Sequence, residues 1–242
     1  MHVEWVSEAD STNTELVRRA ASGTLPDRTV LVTSSQTAGR GRLGRSWVAP
    51  AGTTIAVSIF VSRTEGLAWL PFAAGLAMTR AVRGLIPAQP VFLKWPNDVL
   101  VDGLKISGLL GEIVPSGGAV MGAGLNLTMS SDQLPVPTAT SLTLMGASPE
   151  ALAERALVAY LEEFERVWSA FESAGFDAEA GLRASVAAAC GTLGREIRVE
   201  LPDGSTLLGV AESIDTEGRL VVREGDQVRA VAAGDVTHVR LT

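Results

Sequence analysis

The 242-residue chain predicts an α+β protein: a mixed β-sheet with helices packed on it, followed by a small β-barrel. Three observations predict it. A strand–helix–strand opening gives way to four short apolar runs joined by tight turns at Pro96-Asn97, Asp102-Gly103 and Gly117-Gly118. That succession suits antiparallel pairing and not a doubly wound parallel sheet. Long stretches with helical periodicity then follow. After Gly191 the chain changes to short alternating runs punctuated by Asp203-Gly204, Glu217-Gly218 and Gly225-Asp226, the pattern of a small closed barrel.

Each element has its own reason. Residues 3–6 read as a short strand. Ser11-Thr12-Asn13-Thr14 opens a helix through Ala21 that Gly23 stops, with Leu16 and Ala20 on one stripe. Residues 29–34 (TVLVTS) are rich in β-branched side chains and read as a buried strand. A Gly- and Arg-rich loop spans 35–50, and 53–61 is the next strand. Residues 67–86 are too apolar for a surface helix, so they lie on the sheet, with the helices gathered on one face. Strands follow at 91–95, 99–101, 104–114 and 119–127. Residues 129–140 are polar, contain Pro135 and Pro137, and lack a period, so they read as a loop or mobile lid. Helices are predicted over 149–174 and 177–189. Barrel strands are predicted at 197–199, 206–210, 220–222, 228–231 and 236–241. The domains are accordingly 1–191 and 192–242.

Composition narrows the function classes. The chain is 46% hydrophobic and 19% charged, with a mean hydropathy of +0.24, enough to form a core. Its net charge of −7 disfavours binding to DNA or RNA phosphates. The segment 192–242 carries six arginines against nine carboxylates, so the barrel offers no polyanion footprint. One cysteine, Cys190, excludes an internal disulfide and suits a reducing cytoplasm. The two histidines, His2 and His238, stand near opposite ends, which argues against a histidine metal cluster or a Ser-His-Asp triad. The longest apolar stretch is broken by Pro71, Arg80 and Arg83, so no membrane span is expected. The first ten residues carry Glu4, Glu8 and Asp10 and no apolar signal core. Only two of the twenty cations are lysines, and both lie in one segment, KWPNDVLVDGLK.

Three motifs can carry chemistry. GRGRLGR (39–45) alternates glycines with Arg40, Arg42 and Arg45. Glycines let the backbone approach a ligand, and guanidinium groups fork onto carboxylate or phosphate. Three cations this close repel one another until an anion arrives, which predicts an open loop without ligand. It is no Walker loop, because no Gly-Lys-Ser/Thr follows. KWPNDVL (94–100) presents Asn97 and Asp98 at a turn between Lys94 and Lys105, a combination suited to phosphate and Mg²⁺. GAGLN (122–126) supplies close approach and an Asn126 amide suited to a base edge; taken alone it reads as an ordinary Gly-containing strand.

Taken in order, Ser11-Thr12-Asn13, Gln36 with GRGRLGR and Trp47, KWPNDV, KISGLLGE (105–112) and GAGLN closely resemble the biotin protein ligases. The similarity runs over nearly the whole chain. It implies a catalytic fold like that of the class II synthetases and biotin–lipoate ligases, followed by an SH3-like barrel. It implies that biotin lies against Ser11, Thr12, Asn13, Gln36, Gly39, Arg40, Gly41, Arg42 and Lys105. ATP would meet Arg42, Arg45, Trp47, Lys94, Asn97 and Asn126. Lys105, Arg42 and Asp98 would be the catalytic residues, with Asp98 also holding Mg²⁺ or orienting the acceptor amine. The implied partner is the biotin carboxyl carrier protein domain of a biotin-dependent carboxylase, with no DNA and no membrane. Ten residues before Ser11 leave no room for a helix-turn-helix domain, so a single-function ligase is expected. Some members place a tryptophan after the GxGxN strand; this chain reads Thr138-Ala139-Thr140-Ser141-Leu142 there. A ligase for lipoate or octanoate is the runner-up among enzymes, and a nucleic-acid binder is the alternative outside them.

Overall fold

The computed structural model describes residues 1–23, 25–232 and 234–238. Its larger sheet has seven strands: β1 (His2–Trp5), β2 (Thr29–Thr33), β3 (Thr54–Val61), β4 (Val91–Lys94), β5 (Asp98–Val101), β6 (Leu104–Ile113) and β7 (Ala119–Asn126). Their order is β1-β2-β3-β7-β6-β5-β4. β1 and β2 pair in parallel, joined through α1 (Thr12–Ser22); the other ladders are antiparallel. The mixed sheet is therefore as the turn chemistry predicts.

The helices do not share one face. α2 (Leu70–Leu85) and α3 (Leu152–Ser173) bury Val30, Val32, Val57, Met121 and Ala123 on one side. α1 covers the other side, setting Leu16 and Ala20 on Leu31, Phe60 and Val120. All five residues of β2 are consequently buried. A single short helix covers little of that second face, and a cleft remains open beside the start of α1.

Helix boundaries shift where backbone geometry intervenes. Residues 67–69 form a 3₁₀ turn, and α2 proper begins at Leu70 with Pro71 in its first turn, where a missing N–H costs nothing. α3 begins at Leu152, after Ala151 in the left-handed region. The single helix predicted over 177–189 is a 3₁₀ turn at Ala178–Ala180, a break at Gly181 (φ +131°) and then α4 (Leu182–Ala189).

The second sheet holds β8 (Glu196–Glu200), β9 (Thr206–Ile214), β10 (Leu220–Glu224), β11 (Gln227–Val231) and β12 (Asp235–His238), ordered β11-β10-β9-β8-β12 and antiparallel throughout. Its interior is Ile197, Val199, Leu207, Ala211, Ile214, Leu220, Val222, Val231 and Val236. No ladder joins β11 to β12 among the described residues; the predicted extension of the last strand to 241 lies outside them. This sheet is fastened to the first by its turns. Trp69 Nε1 donates to the Thr216 carbonyl at 2.8 Å, and Trp95 Nε1 to the Gly218 carbonyl at 3.2 Å. A Cβ on Gly218 would fall 2.6 Å from the Phe72 ring. Buried residues of both sheets form one continuous core.

One junction titrates. Thr192 Oγ1 accepts the Trp95 backbone N–H at 3.1 Å and lies 3.2 Å from His238 Nε2, an arrangement served by a hydroxyl proton donated to an unprotonated ring nitrogen. Burial, and then the charges of Lys94 and Arg195, push the His238 pKa down from 6.5 to about 4. The unfolded chain thus binds the extra proton between these values, so stability falls as pH drops from about 6.5 to about 4 and is complete above that window. For a half-buried ring the loss is on the order of 1–2 kcal/mol. Urea unfolding at pH 7 and pH 4.5 should give a smaller pH difference for His238→Gln than for the parent chain. An equal difference would place the sensitivity elsewhere.

Candidate active site

The cleft has a floor of small residues in three rows across β3, β7 and β6. Ser58, Gly122 and Leu110 form the first row, Ala56, Gly124 and Gly108 the second, and Thr54 with Asn126 the third. From residue 122 to 126 the floor runs about 13–14 Å.

At the first row the start of α1 meets the floor. Ser11 caps the helix, with Thr14 N donating to its Oγ at 3.5 Å. Thr12 N donates to Gln36 Oε1 at 2.9 Å. Ser58 Oγ lies 2.7 Å from Thr12 Oγ1 and 2.6 Å from Asn13 Oδ1. Asn13 Nδ2 donates to the Leu110 carbonyl at 3.0 Å and to Glu112 Oε2 at 2.9 Å. A Cβ on Gly122 would stand 2.1 Å from Asn13 Oδ1, so only glycine admits this amide. The result is a nearly dry ring of donors and acceptors: Ser11, Thr12, Asn13 and Ser58 are all buried.

At the second row the Trp47 ring lies on the floor. A Cβ on Gly124 would meet it at 2.6 Å and one on Gly108 at 3.3 Å. The indole Nε1 is buried with no partner. Gly39 serves the same approach, since a Cβ there would lie 2.4 Å from the Trp47 carbonyl oxygen. Lys105 reaches the row from the other end; its Nζ would be 3.1 Å from a Cβ on Gly108 and forms an ion pair with Asp98 Oδ1 at 2.6 Å.

At the third row Asn126 Nδ2 donates to the Thr140 carbonyl at 2.8 Å, while Asn126 Oδ1 and Thr140 Oγ1 are buried without partners. Buried oxygens of this kind are costly unless something completes them. The wall behind them belongs to the segment predicted as a loop or mobile lid, and that segment is an irregular loop. Its end is strapped: Lys105 N donates to the Thr138 carbonyl at 2.7 Å and Thr140 N to the Lys105 carbonyl at 2.8 Å, and residues 139–142 are buried.

The arginine loop is folded and charge-compensated. Trp47 N donates to Gly39 O at 2.9 Å and Gly41 N to Arg45 O at 2.7 Å, closing a turn with Leu43 and Gly44 in the left-handed region. Arg40 pairs with Glu112 at 2.6 Å and Arg45 with Asp235. Arg42 Nη1 donates to Asn97 Oδ1 at 3.0 Å and to the Gly234 carbonyl at 3.4 Å. Burial lowers the Arg42 pKa, against the opposing pull of Asp98 and Asp235. The hydrogen bond and charge of Asp235 raise that of Arg45. The expectation of three mutually repelling cations waiting for an anion is thus corrected: carboxylates remote in sequence already attend two of them.

Most residues singled out from sequence converge here: Ser11, Thr12, Asn13, Gln36, Gly39, Arg40, Trp47, Asn126 and Lys105 line or border the three rows, and Asn97, which accepts from Arg42, is tied to β6 by donating to the Leu109 carbonyl at 2.8 Å. Lys94 does not. β4 is the sheet edge, and Lys94 lines a separate cavity with Phe92, Arg195 and His238. Asp98 faces Lys105 and is not held open for a cation; among the described residues no three His, Cys, Asp or Glu side chains cluster as a metal site. Sequence reasoning missed Ser58, Asp235 and the contacts of Glu112.

Residues 5–126 match the Biotin/lipoate A/B protein ligase family, and residues 192–239 match the Biotin protein ligase C terminal domain. The biotin–[acetyl-CoA-carboxylase] ligase of Mycobacterium tuberculosis is 40% identical over 97% of this chain and 88% of its own length. That of Paracoccus denitrificans is 33% identical over 96% and 98%. The solved structure of the Aquifex aeolicus biotin protein ligase in complex with biotin and ATP shares the fold at a TM-score of 0.78, with 24% identity and 99% of each chain covered. No helix of the described residues is long and apolar enough to cross a membrane. The chain belongs to the biotin protein ligase family and is an enzyme of that kind.

Proposed function

We propose that this chain joins biotin to ATP as biotinyl-5'-AMP and then transfers the biotinyl group to a lysine of a biotin carboxyl carrier protein domain. Residues 1–191 would do the chemistry, with 192–242 closing one end of the site. The observation that carries the reading is the order of the three rows. A ring of hydroxyl and amide groups suits a ureido head, which needs donors and acceptors on both sides. The middle row, walled by Trp47 and bordered by Lys105, suits an acyl chain ending in a carboxylate. The third row offers the unpartnered Asn126 Oδ1 to a nucleobase amine.

In the first step a biotin carboxylate oxygen attacks the α-phosphorus of ATP and pyrophosphate leaves. Arg42 and Lys105 would neutralise the charge that builds between two anions; their contacts with Asn97 and Asp98, which hold them in fixed positions, support this role. Arg45 and Asn97 would steady the phosphate side. Among the described residues no carboxylate cluster stands ready for Mg²⁺, so the ion would have to arrive on the triphosphate; Asp98, once freed from Lys105, would be the carboxylate nearest to it, and the ion would screen phosphate charge. In the second step the acceptor amine attacks the acyl carbon and AMP leaves. The amine must be neutral, and Asp98, released from Lys105 once phosphate engages that lysine, is the carboxylate suited to take its proton. A single buried thiol, Cys190, suits work in a reducing cytoplasm.

The test is biotin-dependent exchange of labelled pyrophosphate into ATP, followed by mass spectrometry of a carrier domain incubated with the enzyme. Exchange with biotin and a single modified lysine are expected. Equal exchange with lipoate would return the reading to a broader acyl ligase.

A further inference from the structure

We propose that Glu112 is a positioning residue that couples the arginine loop to the ureido end of the cleft; the inference rests on the functional reading above and deepens it. Glu112 lies near the end of β6, its carboxylate one-fifth exposed, on the same face as Gly108 and Leu110. Its two oxygens have different clients. Oε2 accepts from Asn13 Nδ2 at 2.9 Å, and Oε1 accepts from Arg40 Nη1 at 2.6 Å. Asn13 belongs to α1 and Arg40 to the loop, so one carboxylate adds a bridge between two elements that otherwise touch through Gln36 and Thr12.

The consequences follow from the geometry. An amide can be turned over at little cost unless its neighbours distinguish oxygen from nitrogen. Here Glu112 and the Leu110 carbonyl both accept, so the Asn13 nitrogen must face them and its oxygen must face Ser58. Glu112 thus shares with the Leu110 carbonyl and Ser58 in fixing how the Asn13 amide faces a ligand. The same carboxylate holds Arg40 over the first row, closing the loop that begins at Gly39. Orientation of the amide and closure of the loop become one event, and loss of either contact loosens the other. A charge-assisted bond to arginine is also the stronger kind, so the loop side depends on the carboxylate being ionised.

Glu112→Gln removes the charge and leaves one acceptor for two donors. Whichever way the amide turns, one contact is lost, and the charge assistance to Arg40 is lost in either case. Hydrogen–deuterium exchange of the ligand-free protein should show faster exchange across residues 39–47 in Glu112→Gln and in Arg40→Gln, with the rest of the sheet unchanged. Steady-state pyrophosphate exchange should show a KM for biotin raised about tenfold, with kcat within about twofold, because the contact holds substrate equally in ground and transition states. Glu112→Ala should raise KM further. The double variant Glu112→Gln/Arg40→Gln should be no worse than the poorer single one, since both remove one contact. Unchanged loop exchange in Glu112→Gln, or strictly additive KM effects, would overturn the coupling. Should Glu112→Ala prove insoluble, Glu112→Gln alone decides. The exchange measurement needs no substrate, so failure of the biotin reading leaves it intact, and the parent enzyme's response to biotin judges that reading separately.

Discussion

Replacing Lys105 by alanine is expected to slow formation of biotinyl-AMP by about 100-fold, or about 2.7 kcal/mol in activation free energy, the usual scale for a preorganised charge at a reacting centre. Lys105 reaches the middle row with its Nζ 2.6 Å from Asp98. The deletion thus removes a cation and leaves Asp98 as uncompensated negative charge where two anions must meet. The affinity for biotin should fall too, through its carboxylate, but less than the rate, because the ureido end lies at the first row, two strand residues away along β7. Arg42→Ala should behave alike but less severely, since Asn97 and the backbone remain. Single-turnover quenching of the adenylate measures both. Near-parental rates would remove these residues from the reaction.

The second large effect is expected from a methyl group. Gly122→Ala places a Cβ 2.1 Å from Asn13 Oδ1 and 3.0 Å from its Nδ2. The amide cannot stay, so the links to Ser58 and Glu112 break together. Overpacking of this kind costs about 1–3 kcal/mol, and biotin affinity by calorimetry should fall roughly 10- to 100-fold. Nucleotide affinity should hold, because Asn126 lies at the far end of the floor. Gly84→Ala is the control: a Cβ there meets nothing within 4 Å, and the helix should gain up to about 1 kcal/mol. Equal biotin affinity in Gly122→Ala would show that the amide is not a contact.

The sequence made the strands, the hairpins and the site motifs readable because these are local. Asp102-Gly103 turns the chain wherever it stands, and Ser11 caps whatever helix follows it. What it hid is relational. VLV, the centre of TVLVT, is apolar at every position, so nothing in it says that Leu31 meets α1 while Val30 and Val32 meet the other helices. Ser58 is one hydroxyl inside TTIAVSIFV and looks like a tolerated polar residue until α1 closes over it. The partners of the arginine loop stand 72 and 190 positions away, beyond any local pattern. Lys94 looked like the twin of Lys105 because eleven residues separate them, but one lies on an edge strand and the other beside the middle row. Residues 129–140 are the irregular segment that their composition predicts, but composition could not show that backbone pairing with Lys105 fixes its end.

The placement of Trp47 gives the enzyme an optical handle. Of five tryptophans, Trp69, Trp95 and Trp168 are sealed in the core, and Trp5 stands 43% exposed on the edge strand β1. Trp47 alone lies in the cleft, flat over Gly124 and Gly108, with its indole N–H unpartnered. A ligand entering the middle row must change the polarity and hydrogen bonding around that one ring. The intrinsic emission of the unlabelled protein therefore carries a signal from the site against a background of four fluorophores outside it, and occupancy can be followed in real time without a coupled assay.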